Sequence, residues 1–332
     1  MQNVSRPYVA AGIALVAAGM VAVTPVALGS LDAHVTHDVA LTADLDFTGA
    51  WEQAIDTAKA NQAILSGAAD EVSKAFSEAL KANPDALADH GKDLLNDLTF
   101  QGFGDLEGAD VTTYLRQHVT PLAQHVLDKG HGTFFSVLNG TNPLGHTFGI
   151  DPLEGDNLSL LTFAGSPMSG VLLGALSPSI APIVAALNSI DAIQADLGAD
   201  TPDTDAALQE LINLPANMFN GFLNGATLNL DELIPLIGES DVIKLPEGVS
   251  IDHLSFAFGG LFSTGLVQNG VGDTAIGGSL FNAVGLDLSG LPSIANILGL
   301  NHIVGEGIGP MGALLGMQDI LTGLINDLGD AS

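Results

Sequence analysis

From Asn157 to Ile190 this chain runs 34 residues without a charged side chain, and whatever it folds into must accommodate that stretch. Within it Leu173, Leu176, Ile180, Ile183, Leu187 and Ile190 recur at steps of 3, 4, 3, 4 and 3, the period of one helical face. Gly174, Ser177, Ala181 and Ala185 form a second stripe of small residues, which lets another backbone come close. Pro178 and Pro182 predict a kink. A surface helix of a soluble protein has a polar face; this one has none, so both stripes need cover. Bilayer insertion is near neutral, because Pro, Ser, Gly and Asn offset the large aliphatics. That favours a buried or interfacial helix over a spanning one. Leu173, Leu176, Ile180, Ala181, Ile183 and Leu187 are the candidates for contact with a membrane or a partner.

A second uncharged run, 25 residues long, lies between Arg6 and Asp32. One cation precedes an Ala/Gly-rich apolar core, Pro25 ends it, and Ala27 and Gly29 put small residues where a signal peptidase reads. A signal peptide over residues 1–29, cleaved after Gly29, is expected. The alternative is an uncleaved anchor helix, for which this core is short and weakly apolar.

The chain has 38 acidic and 8 basic residues, a net charge of −30. Nucleic-acid binding and polybasic docking on anionic lipid both need clustered Lys and Arg, so both are excluded. With no cysteine, an exported chain must be held by packing rather than disulfides. Low charge (14%), 40 glycines and a mean hydropathy of +0.38 suit a protein that spends time against lipid or a partner. Beyond Lys129 the only cation is Lys244, a composition shift that suggests a boundary near Gly130. The organisation expected is a lead-in over residues 30–46, a helical bundle over 47–130, a glycine-rich linker over 131–157 and an apolar, acidic C-terminal domain over 158–332.

Within the bundle, Thr48, Ser66, Asn83-Pro84 and Asp110 read as four helix starts, the last with Pro121 as a kink and Gly130 as a stop. Thr201-Pro202-Asp203 opens a further helix that Pro215 should divide, and Pro310–Leu328 is a terminal helix. Leu254–Phe258 and Leu261–Thr264, separated by Gly259-Gly260, read as a β-hairpin. Phe219-Asn220 and Phe281-Asn282, each preceding a Leu/Asp segment, are a faint internal echo. The fold class expected is mainly α: an N-terminal bundle plus a glycine-rich helical C-terminal domain with a small β-hairpin.

No catalytic constellation emerges. Gly307-Ile308-Gly309-Pro310-Met311-Gly312 matches G-x-G-x-x-G, but too little chain follows to complete a dinucleotide-binding unit, so a glycine-rich helix entry explains it better. Serines near glycine never form G-x-S-x-G. His34 and His37, and His118, His125 and His131, lack the pattern of a metal site, which needs three or four converging ligands. No cofactor, no metal and no enzymatic activity is expected.

Several stretches carry a resemblance: Arg6–Gly12, Ser169–Gly174, Pro182–Ile190, Leu214–Gly225 and Leu254–Gly265. Together they resemble the mycobacterial and related actinobacterial family of outer-membrane porins labelled GjpA, over most of residues 150–320 and the signal region. The resemblance implies export to a mycolate-containing envelope and passive passage of small hydrophilic solutes, and it brings no catalytic residues. A transmembrane β-barrel is nevertheless disfavoured. It needs alternating segments of about ten residues with aromatic girdles, and no Trp or Tyr follows Tyr114. A pore would have to be a homo-oligomer of kinked, small-faced helices with carboxylates favouring cations. The alternative is a soluble or peripheral envelope protein that binds lipid or protein and forms no pore.

Overall fold

Residues Gly49–Ala82 form one 34-residue helix, α1. Ser66 and Gly67 lie on its solvent side, so the second start expected at Ser66 does not break it. The computed structural model describes residues 45–238, 245–268, 274–293, 295 and 298–330. The signal segment with Ala27 and Gly29, and His34 and His37, lie outside the described residues.

After α1 come two short helices, α2 (Ala86–Asp89) and α3 (Gly91–Thr99). Helix α4 (Ala109–Tyr114) runs through a π-helical turn, Leu115–Val119, into α5 (Thr120–Val126). Proline lacks the amide donor and its ring collides with the carbonyl four residues back; the wider turn just before Pro121 absorbs both problems. Helix α6 (Lys129–Leu138) starts beyond it, capped by Asp128, whose Oδ1 accepts the amides of Gly130 (2.8 Å) and His131 (3.0 Å). Then follow α7 (Leu144–Phe148), α8 (Gly155–Ala164), α9 (Pro167–Gly198) and α10 (Thr204–Asn224). Ser166 and Asp203 cap the two long helices through Ser169 N–H and Ala206 N–H. Helix α9 continues through Pro178 and Pro182, and α10 through Pro215; the division expected at Pro215 does not occur.

The sheet is larger than a hairpin. Strands β1 (Ala226–Asn229), β2 (Ser250–Phe258), β5 (Val284–Ser289) and β6 (His302–Ile303) form an antiparallel sheet in the order β1-β2-β5-β6. Between β1 and β2 lies helix α11 (Ile234–Gly238), and a separate pair joins β3 (Val267–Gln268) to β4 (Thr274–Ala275). The expected hairpin is corrected: Leu254–Phe258 belongs to β2, but Leu261–Thr264 is not its return strand. Instead the amides of Leu261 and Phe262 bond the carbonyls of Phe222 and Leu223 at the end of α10. Nor is the internal echo structural, since Phe219 is helical and Phe281 begins a 3-10 turn.

Helix α12 (Pro310–Asp330) closes the fold. It packs on α1 and α9, and α10 packs on α1 and α9 in turn, so the four long helices form one group with β1 and β2 against α9. Polar clips join them: Asn224 Nδ2 donates to the Ala54 carbonyl (2.8 Å) and Asn83 Nδ2 to that of Ile325 (3.2 Å). From Asp46 onward the described residues are one compact unit. The composition shift near Gly130 therefore marks no domain boundary. Residues 131–157 are not a linker either: they hold α6 and α7 and supply Phe135, Val137, Leu138, Phe148 and Ile150 to the main core. The chain is mainly helical, with a small open antiparallel sheet rather than a closed barrel.

Candidate functional site

Helix α9 separates its two stripes in space. Its small residues face inward: Gly170, Gly174, Ser177, Pro178, Ala181, Ala185 and Ser189 are all buried, Ala181 completely. The reason is backbone approach. A Cβ on Gly221 of α10 would stand 2.7 Å from the Ala181 carbonyl oxygen, and one on Gly174 would stand 2.8 Å from that of Gly309. Asn217 Nδ2 donates across the α9–α10 contact to Ser189 Oγ (3.0 Å). Large aliphatics face outward: Leu172, Leu176, Ile183 and Ile190 keep between 41% and 61% of their surface exposed.

The six contact candidates therefore divide. Leu176 and Ile183 are exposed, and Ile180 and Leu187 are half-buried on the same side. Leu173 and Ala181 are buried inside the chain and cannot meet a membrane or partner in this fold. Sequence periodicity grouped Leu173 with the outward stripe because steps of three and four drift around a helix of 3.6 residues per turn. It left out Leu172, which lies next to Leu176 on the helix surface.

The glycines of Gly307–Gly312 serve the same close approach. A Cβ at Gly309 would meet the Gly260 carbonyl at 2.2 Å, and one at Gly312 that of Thr264 at 2.5 Å. No phosphate is needed to explain them.

Sequence reasoning passed over three His–Asp pairs. His131 is 2% exposed; its Nδ1 meets Asp128 Oδ2 and its Nε2 donates to the Val284 carbonyl (2.7 Å). Burial works to raise the Asp128 carboxyl, but the hydrogen bond and charge of His131, with the amides of His131 and Gly130, hold it below the ordinary range. Glu306, in the adjoining cleft, is pushed up by burial and by Asp128. Because both ring nitrogens of His131 are engaged, the pair joins α6 to β5 and is not poised to take a proton from a substrate. The local signal was Asp-x-x-His at a helix start.

The other two pairs, His253 with Asp231 and His302 with Asp287, lie along the sheet, where His253 faces Asp287 and Asp287 faces His302 in register. Asp231 is held low by the Leu254 amide first and His253 second. Among the described residues no three His, Asp or Glu side chains converge as a metal site. His118 instead stacks on Tyr114, with ring centroids 4.6 Å apart.

Comparison with models of protein families, with characterised proteins and with solved structures returns no match to this chain.

Proposed function

We propose that this is an exported cell-envelope protein that works at a lipid surface, with the outward face of α9 as its contact and no pore through the chain. The observation that carries the reading is the split of α9 into a buried small face and an exposed aliphatic one. Fully burying a Leu or Ile side chain is worth about 1.5–3 kcal/mol. Four that begin roughly half exposed yield about 3–6 kcal/mol when lipid covers them. That is the range of a reversible peripheral contact rather than of permanent insertion.

A spanning role for α9 would require its small face to leave α10, α12 and the sheet. The pore suggested by the porin-like segments needs that same face for contacts between copies, which makes the peripheral reading the better supported one. The acidic balance adds a preference for zwitterionic over anionic lipid.

Flotation with zwitterionic liposomes tests the proposal. The purified protein should float reversibly, carbonate should strip it from envelope membranes, and the double variant Leu176→Glu, Ile183→Glu should stay at the bottom of the gradient with an unchanged melting curve. Flotation of that variant like wild type would sink the α9 reading. Resistance to carbonate together with single-channel conductance in a planar bilayer would favour the pore. A stable dimer lost in the double variant would make a second copy, not lipid, the partner.

A further inference from the structure

We propose that the cavity between the sheet and helices α6, α8 and α11 is a binding site for a neutral small molecule bearing an acyl chain. Its volume is about 940 Å³, against about 440 Å³ for the next largest cavity described, and it lies at the large end of the range for small-molecule sites. Ile251 and Leu286 of the sheet, Phe134 of α6, Leu161 of α8, Ile234 of α11 and Phe281 line it.

The sheet side of this lining depends on an irregularity in β2. Ile251 pairs with Leu288 and His253 with Asp287, so Asp252 is an extra residue bulged out of register. A regular strand would alternate and put Ile251 on the same face as His253. The bulge turns Ile251 and Leu254 to one side, opposite Leu286 and Leu288, and sends His253 to the row of His–Asp pairs on the other side. One apolar face results, and the cavity stands on it.

The chemistry of the lining selects the ligand. None of the described lining residues is charged, although the chain carries 38 acidic residues. Only Asn157 and Ser250 bring polar side chains. The Ser250 hydroxyl is already engaged with Asp252 and Ser289, while the Asn157 amide has no side-chain partner among the described residues. These two side chains are the bare minimum that holds one water in order, in a space with room for many. An acyl chain meets every wall by contact. A carboxylate head would find no cation among the described lining residues, which disfavours it. A hydroxyl or ester head can bond the Asn157 amide. The ligand class is therefore a neutral acyl glyceride, ester or alcohol.

The test uses the full-length purified protein with 1-monoolein and oleate, which share one acyl chain, read by native mass spectrometry and by displacement of a fluorescent fatty alcohol. One monoolein should bind per chain, at least tenfold tighter than oleate. Ala164→Trp and Ile234→Trp fill the cavity from two different helices, α8 and α11, and either one, if it melts like wild type, should weaken monoolein binding tenfold or more. The α9 double variant should bind monoolein normally, which separates this site from adsorption at the lipid-facing surface. The proposal is overturned if folded wild type forms no one-to-one monoolein adduct, if oleate binds as tightly, or if a folded filling variant binds like wild type.

Discussion

Replacing Gly221 with alanine tests whether the α9–α10 contact holds the fold, because two opposing effects of known size meet at that position. In a helix interior Gly→Ala is favourable by about 0.8–1.0 kcal/mol, since alanine loses less backbone entropy on folding. At Gly221 the new Cβ would stand 2.7 Å from the Ala181 carbonyl oxygen and 3.0 Å from the Ala185 Cβ. Ordinary contact begins several tenths of an ångström further out, and the obstacle is α9 backbone, which cannot rotate away. The helices must separate by roughly half an ångström, a gap that forfeits about a quarter of each dispersion contact along the seam. Overpacking of this kind costs about 1–3 kcal/mol. The net expectation is a destabilisation of about 0–2 kcal/mol, or a fall in Tm of up to roughly 3 °C for a chain of this size.

Gly67 is the internal control. It lies in the interior of α1 with nothing within 4 Å of a built Cβ, so Gly67→Ala should gain about 0.5–1 kcal/mol. Urea melts of both variants, with the slope checked for constancy, give the comparison. If Gly221→Ala is as stable as Gly67→Ala, the close approach of α9 and α10 is not the contact that excludes a side chain, and the inward assignment of the small stripe falls with it.

Asp128→Asn should flatten the acid limb of the stability profile. The folded carboxyl titrates below its unfolded value, so its stabilisation is full above about pH 4 and lost as pH falls through the lower folded value. Asn caps a helix about as well as Asp, so the substitution keeps the cap while removing the charge and the oxygen that faces His131 Nδ1 and Asn282 Nδ2. The stability gap between wild type and variant should therefore close on acidification, and a gap constant from pH 7 to pH 3 would show that the ion pair with His131 contributes nothing. Asp203→Ala removes the acceptor for the Ala206 amide at the start of α10 and should cost about 1 kcal/mol in urea denaturation. A loss below a few tenths would mean that this exposed cap is not held in solution.

The buried His131 and the cavity were hidden from the sequence for different reasons. An Asp three residues before a His at a helix start occurs often on surfaces. Only the arrival of the Val284 carbonyl, 153 residues further on, makes the imidazole an internal strut. Strand β5, by contrast, carried a local signal that the sequence reading passed over: Val284, Leu286 and Leu288 alternate with Gly285, Asp287 and Ser289. Expecting a tight turn at Gly259-Gly260 led to the wrong partner for β2. Those glycines serve a close approach to Ile308 and to the end of α10 rather than a hairpin.

What this sequence determines by itself is the kind of element each stretch becomes. The 3.6-residue period of the 157–190 run, the helix start around Thr201-Pro202-Asp203 and the stripe after Pro310 each specify a helix through contacts within a few residues, and those interactions are complete within the segment. Which face of each helix turns inward was left to tertiary structure. Up to Ile190 both faces of α9 lack charge, so burial alone does not rank them strongly. The choice falls to shape, and shape is supplied by Gly221, Gly309 and Ala313, which lie far away in the chain and offer backbone where only a small residue fits. The register shift at Asp252 is a decision of the same order, taken when β2 meets β5. Packing complementarity belongs to pairs of surfaces, so a single segment read alone carries only half of it.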